Sequence, residues 1–120
     1  MIKASYDQEY NTLIIEFEGK IDAAQGASFY LEVQSIVPKD RKGFKILTDF
    51  TSIQQMNSDI KEAVKKTMDF FNREGVREII RVIPNPEKDI GFGIMSAFHY
   101  SKDVNIVTVE SREEAQQLLK

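Results

Sequence analysis

The sequence contains no cysteine, which removes disulfides, thiolate metal sites and cysteine nucleophiles together. Histidine occurs once, at His99. Without a second histidine or a thiol, a conventional zinc site is short of ligands. No stretch approaches the ~18–20 apolar residues of a membrane-spanning helix, and the first residues lack the apolar run of a secretory signal. A soluble protein of the cytoplasm is the expectation. Charge of one sign is not in excess either: 16 Lys and Arg against 19 Asp and Glu leave a net −3. Nucleic acid usually requires a clustered basic surface, so no such partner is expected. Lys39, Arg41, Lys42 and Lys45 do cluster, but they read as a solvated loop and strand edge. A phosphate loop is missing too, because Gly91-Phe92-Gly93 lacks the preceding strand and the remaining glycine of the dinucleotide fingerprint. No nucleophile stands beside a base in a recognisable pattern, and the Glu113–Glu114 pair falls on a solvated helix face. Neither enzymatic activity nor a cofactor nor a bound metal is expected.

At 120 residues the chain is long enough for one domain with one core, spanning residues 1–120. Its organising stretch runs from Phe44 to Glu74. Phe44, Ile46 and Leu47 form a short apolar strand that ends near Asp49, and a polar turn from Thr51 to Ser58 leads into a long amphipathic helix. In that helix Ile60, Val64, Met68 and Phe71 recur on one stripe, flanked by Ala63, Thr67 and Phe70. Gly75 is placed as a left-handed C-cap, with Val76 making the accompanying apolar contact.

Around this centre the other elements follow. Ile2, Ala4 and Tyr6 alternate with polar residues, and Leu13, Ile15 and Phe17 share one face of a second strand that ends at Gly19. Two strands so close predict an antiparallel hairpin. Asp22 is placed to cap a helix to about Val37, with Ala23, Ala27, Tyr30 and Leu31 on its apolar stripe and Val33, Ile36 and Val37 extending the burial. Gly26 weakens that helix by roughly 1 kcal/mol relative to alanine unless it marks close packing. Pro38 stops the helix, and Gly43 turns the chain into the third strand. Ile79, Ile80, Val82 and Ile83 form a near-continuous β-branched run, the mark of a strand covered on both faces. Pro84 and Pro86 end it. Asp89 is placed to cap a helix containing Ile90, Ile94, Met95 and Phe98. Val104 to Val109 reads as a last strand, and Ser111-Arg112-Glu113-Glu114 opens a short final helix with Ala115, Leu118 and Leu119 buried. The pattern is α/β: about five strands, a hairpin then parallel βα units, with about four helices.

In element order and length the whole chain resembles the anti-sigma-factor antagonist family, the STAS domains, whose fold is also similar to Sec14-like lipid-binding domains. In that family a strand ending in Asp-Leu-Ser leads through an apolar turn to Asp-Ser-Ser/Thr-Gly at the head of a helix. Here the residues are Asp49-Phe50-Thr51 and, at the same spacing, Asn57-Ser58-Asp59-Ile60. Ser58 keeps the first serine of the signature; Asn57 stands for the aspartate, Asp59 for the second hydroxyl residue and Ile60 for the glycine. The resemblance implies a non-enzymatic regulatory domain that binds a protein, an anti-sigma factor or similar regulator.

Two readings of the candidate residues stay open. Ser58 can be a plain N-cap, worth ~1 kcal/mol, or a phospho-acceptor whose added charge suits the positive end of the helix. Its neighbours Met56, Asn57 and Asp59 belong to the same contact surface. Asp49 can shape its turn by accepting from loop amides such as those of Ser52 or Ile53. Alternatively it lines a ligand crevice with Thr51, Ser52, Arg81 and Asn85, where the carboxyl ends of parallel strands converge. That second arrangement corresponds to a carrier of a lipid or small apolar ligand.

Overall fold

The computed structural model describes residues 1–37, 43–84 and 104–120. Strands β1 (Ile2–Asp7) and β2 (Thr12–Ile21) form the expected antiparallel hairpin, with Ile2 opposite Phe17 and Asp7 opposite Thr12. The turn between them is held by the Tyr6 hydroxyl, which donates to Asn11 Oδ1 at 2.6 Å. Helix α1 (Ala23–Ile36) begins where predicted: the Asp22 carboxylate accepts from the Gln25 amide at 3.0 Å.

Val33 and Val37 are buried as expected, and Tyr30 and Ile36 pack against the core, but the rest of the face that α1 buries differs from expectation. Gly26, Phe29 and Val33 are the buried residues, whereas Ala27 is exposed and Leu31 is 69% exposed. The cause is Gly26, the contact point with the next helix. A Cβ added there would lie 2.9 Å from Ala63 Cβ and 3.0 Å from Ile60 Cγ1. Once position 26 faces inward, helical periodicity puts 29 and 33 inward and turns Leu31 out. Gly26→Ala therefore sets a helix-propensity gain of about 1 kcal/mol against an overpacking cost of about 1–3 kcal/mol. A net loss of stability is expected in chemical denaturation. A gain as large as the propensity difference would mean the two helices separate freely.

Strand β3 runs from Lys45 to Met56, well past the predicted end near Asp49. Strand β2 likewise continues beyond Gly19 to Ile21. The two pair in parallel over their whole length, with register shifts between Glu16 and Glu18 and between Gly19 and Lys20. Asp49 opposes Glu16 while Ser52 opposes Glu18, and Ile53 opposes Gly19 while Gln55 opposes Lys20. Each step inserts one more residue on β3 than on β2, and each such bulge re-aims the side chains that follow. Inward residues consequently fall at Phe50, Ile53 and Met56, all buried, where an unbroken strand would alternate by two.

A single 3-10 turn (Ser58–Ile60) then leads into helix α2 (Lys61–Arg73). Its predicted stripe is correct: Ile60, Thr67, Met68, Phe70 and Phe71 are buried and Val64 partly so. Gly75 sits at φ +89°, a conformation that costs a residue with a Cβ. The Gly75 amide donates to Asn72 O at 3.2 Å and the Val76 amide to Phe71 O at 3.1 Å, the paired bonds of a Schellman cap. Strand β4 (Glu78–Val82), strand β5 (Asn105–Val109) and helix α3 (Arg112–Leu119) complete the described elements. Ser111 caps α3 by accepting from the Glu114 amide at 3.2 Å. Ala115 and Leu119 are buried, but Leu118, expected with them, is 45% exposed.

The sheet order is β1-β2-β3-β4-β5, and every pairing after the hairpin is parallel, as predicted. Residues of α1 and α2 pack on one face with Leu13, Ile15, Ile46 and Ile79, while Ala115 and Leu119 of α3 cover Leu47, Ile80 and Val82 on the other. Strand β4 is thus covered on both sides, as its β-branched run implied. The described residues hold three α-helices rather than about four. The helix expected after Asp89, and with it His99, lies outside the described residues, as do Pro38, Asn85 and Pro86. Among the described residues no helix is long and apolar enough to cross a membrane.

Candidate functional site

Side-chain alternation along β3 sorts the candidate residues between the two faces of the sheet. Ile46 and Phe50 join the core under α1 and α2, whereas Leu47 joins the core under α3. Thr48 therefore points with Ile46, and Asp49 with Leu47. On β4 the register pairs Thr48 with Arg81 and Asp49 with Val82. Register partners in a parallel sheet share a face, so Arg81 lies under the α1–α2 layer and Asp49 lies on the α3 side. The crevice that would combine Asp49, Thr51 and Arg81 is not assembled. Asn85 lies outside the described residues.

Asp49 has other partners. Its Oδ1 accepts from the Thr51 amide at 2.9 Å and from the Thr51 hydroxyl, and its Oδ2 accepts from Arg112 Nη1 at 3.0 Å. The local half of this arrangement is the expected shaping of the chain, made with Thr51 rather than Ser52 or Ile53. The other half ties the first turn of α3 to β3 across the sheet face. The Asp49 side chain is 12% exposed and that of Arg112 34%, so solvent reaches the pair mainly from the arginine side and its contribution is on the order of 1 kcal/mol. Arg112 carried no such role in the sequence, where it reads only as part of a capping box.

The stretch from Thr51 to Asp59 gathers most of the remaining candidates. Thr51, Ser52, Gln54, Gln55, Ser58 and Asp59 are exposed, Asn57 is half-buried, and Ile53 and Met56 are buried. Met56, expected on the surface, instead anchors the stretch from below. Gln54 and Gln55 were not singled out from sequence, because only the bulges reveal that they face outward between Ile53 and Met56. The Asn57 amide donates to Ile21 O at 2.9 Å and its carbonyl accepts from the Ile60 amide at 3.2 Å. Ser58 does not cap the helix: Asn57 holds the cap position of the 3-10 turn and Ile60 that of α2, neither with a side-chain bond. The physical reason is the 3-10 turn, which moves the start of α2 three residues beyond Ser58. The Ser58 hydroxyl is left exposed at the mouth of the helix.

Between α2 and the sheet is a cavity of about 70 Å³, lined mainly by apolar side chains with Thr48, Thr67 and Arg81 as the polar contributors. Drug-sized ligands occupy roughly 300–1,000 Å³, so this cavity is too small for a lipid; a larger, shallower depression of about 540 Å³ lies beside Met1, Ala24, Ser28 and Glu32. Among the described residues no group of three or more His, Asp or Glu side chains is placed to hold a metal.

No family model matches the sequence, and a search of curated proteins finds no match. Solved structures do resemble it. An uncharacterised DUF3478-family protein with a SpoIIAA-like fold from Shewanella loihica PV-4 superposes with a TM-score of 0.72 at 12% identity, covering 100% of this chain and 93% of that one. The anti-sigma factor antagonist SpoIIAA in its unphosphorylated form gives a TM-score of 0.62 at 16% identity, over 98% of this chain and 94% of that one. At such identities the likeness is one of fold: the chain has a STAS-like, SpoIIAA-like α/β architecture.

Proposed function

We propose that this STAS-like domain is a non-enzymatic regulatory module that binds a protein partner, an anti-sigma factor or similar regulator, through the surface around Ser58. The observation that carries this reading is the exposed polar set Thr51, Ser52, Gln54 and Gln55 on the paired end of β3, continued by Ser58 and Asp59 on the 3-10 turn that follows, with Ile53, Met56 and Ile60 buried beneath. Backbone already paired in a sheet has less conformational freedom to lose on docking, which favours affinity. The alternative of a lipid carrier finds little support in the described residues: the cavity under α2 is too small, and the larger depression beside Met1 is shallow and includes Gln25, Ser28 and Glu32 in its lining. The likeness of fold to an anti-sigma factor antagonist over nearly the whole chain agrees with the same choice.

Ser58 is the candidate phospho-acceptor within this surface. Its hydroxyl is exposed and bears no capping duty. A phosphate would add about −1.5 to −2 charges beside Asp59 and alter what a partner meets. Ser58→Asp imitates part of that charge. Because no cap bond is lost, stability should change by less than ~1 kcal/mol. At a packed interface the unpaired charge must be desolvated, and recovery of the partner should fall at least roughly tenfold. Pull-downs from native lysate with wild-type and Ser58→Asp protein, beside thermal melts of both, test this. Equal recovery of the same partners with matching melts would remove Ser58 from the contact.

A further inference from the structure

We infer that the cavity beneath α2 binds a small monocarboxylate with a short apolar tail, the carboxylate held by Arg81 and Thr48. This goes beyond the docking surface, which it neither uses nor requires. Arg81 and Thr48 are register partners on adjacent strands, and both line the cavity. Arg81 is half-buried and makes no ion pair or hydrogen bond among the described residues. Thr48 is buried, and its hydroxyl likewise has no partner among the described residues. The third polar lining residue is already committed, since the Thr67 hydroxyl donates to Ala63 O at 2.8 Å. A void is thus lined by a cation and a hydroxyl on neighbouring strands, neither with a partner among the described residues. A snorkelling arginine would account for the cation alone. It accounts neither for the void nor for the hydroxyl beside it.

The chemistry of the site selects the ligand class. A guanidinium presents a planar fork that matches a carboxylate with two parallel hydrogen bonds, and the Thr48 hydroxyl can donate a third. One cation balances one negative charge; a dianion would leave the second charge unpaired among Phe17, Phe50, Met56, Met68 and Phe71, which also line the cavity. The volume of about 70 Å³ is near half that of the ~150 Å³ engineered cavity that accepts benzene. An apolar tail of roughly three or four carbons is therefore the right size.

Titration calorimetry of the intact chain with butyrate, at low salt and neutral pH, tests the inference. Saturable binding is expected with Kd of about 0.1–5 mM, as suits so small a ligand. Butanol, which shares the tail but not the charge, should bind at least roughly tenfold more weakly. Arg81→Gln should weaken butyrate at least roughly tenfold, and Thr48→Val, which keeps the shape and deletes the hydroxyl, should weaken it several-fold. Arg81→Lys keeps the charge without the fork and should fall between wild type and Arg81→Gln, which covers the case of a poorly folding glutamine variant. No saturable heat with butyrate, equal affinity for butyrate and butanol, or unchanged affinity in the Arg81 variants would overturn the inference. Pull-downs on the Ser58 variants read a different face, so failure of one reading leaves the other to stand on its own result.

Discussion

Phe71→Ala is expected to destabilise the domain by about 3–5 kcal/mol, the range for removing a fully buried aromatic ring. Phe71 is 2% exposed and sits where α2 meets the sheet. Its ring lies edge-on to Phe44, with centroids 6.3 Å apart and planes at 72°, and is tilted against Phe70 at 5.9 Å. Each such pair contributes about 0.5–1.5 kcal/mol beyond the apolar area it buries. The surroundings cannot readily close the gap, because Phe44 immediately precedes β3 and Phe71 belongs to the capped end of α2, both pinned by backbone bonds. The Arg77 amide donates to Phe44 O at 3.0 Å and the Val76 amide to Phe71 O at 3.1 Å. Equilibrium unfolding in urea measures the loss. A value below about 1 kcal/mol, closer to a surface change, would show that α2 is not seated on Phe44.

Met68→Ala is expected to lose about 2–5 kcal/mol, toward the lower end. Met68 is buried at 6% exposure, one turn before Phe71, and its side chain lines the cavity. Truncation therefore enlarges an existing void instead of opening a new one. Methionine also packs adaptably, so its neighbours are less tightly fitted to it than Phe44 is to Phe71. The same unfolding experiment decides. A loss under about half a kcal/mol would put Met68 on the solvent side and move the phase of the whole helix.

The contrast between α2 and the elements around it shows what could be read without a structure. Helix α2 was legible because its apolar residues recur at helical spacing on an otherwise charged chain, and Gly75 marks its end. Strand β4 was legible because both its faces are apolar. Helix α1 was located correctly and Val33 rightly placed inside, but Ala27 and Leu31 were put on the wrong side, since glycine carries no apolar signal and the close packing at Gly26 depends on Ala63 and Ile60 of a later segment. The outer half of β3 was hidden by its own bulges. Phe50, Ile53 and Met56 are three apart, a spacing foreign to a regular strand, and the glutamines and serines between them look like turn residues.

The site residues were limited in the same way. Exposure of Ser58 followed from its polar neighbourhood, but its release from capping depended on a 3-10 turn that no residue type demands. Whether Asp49 and Arg81 meet is a question of register, and the register is set by the pairing of Thr48 with Arg81. The bond from Arg112 to Asp49 spans 63 positions of sequence. Neither residue carries a local sign of the other.

Strand order across the sheet follows chain order, and this bears on how the molecule assembles. Each strand pairs with the one made immediately before it, so no strand waits for a distant segment to arrive. The loops that must close between β2, β3 and β4 are only a helix and its turns long, and the entropic cost of closure rises with loop length. During synthesis at about 5–20 residues per second, the hairpin can form first and each later strand can add to its edge as it emerges. A sheet that grows in this way has two open edges, the outer side of β1 throughout and the newest strand at each stage, and an open edge is the place prone to pairing with another chain.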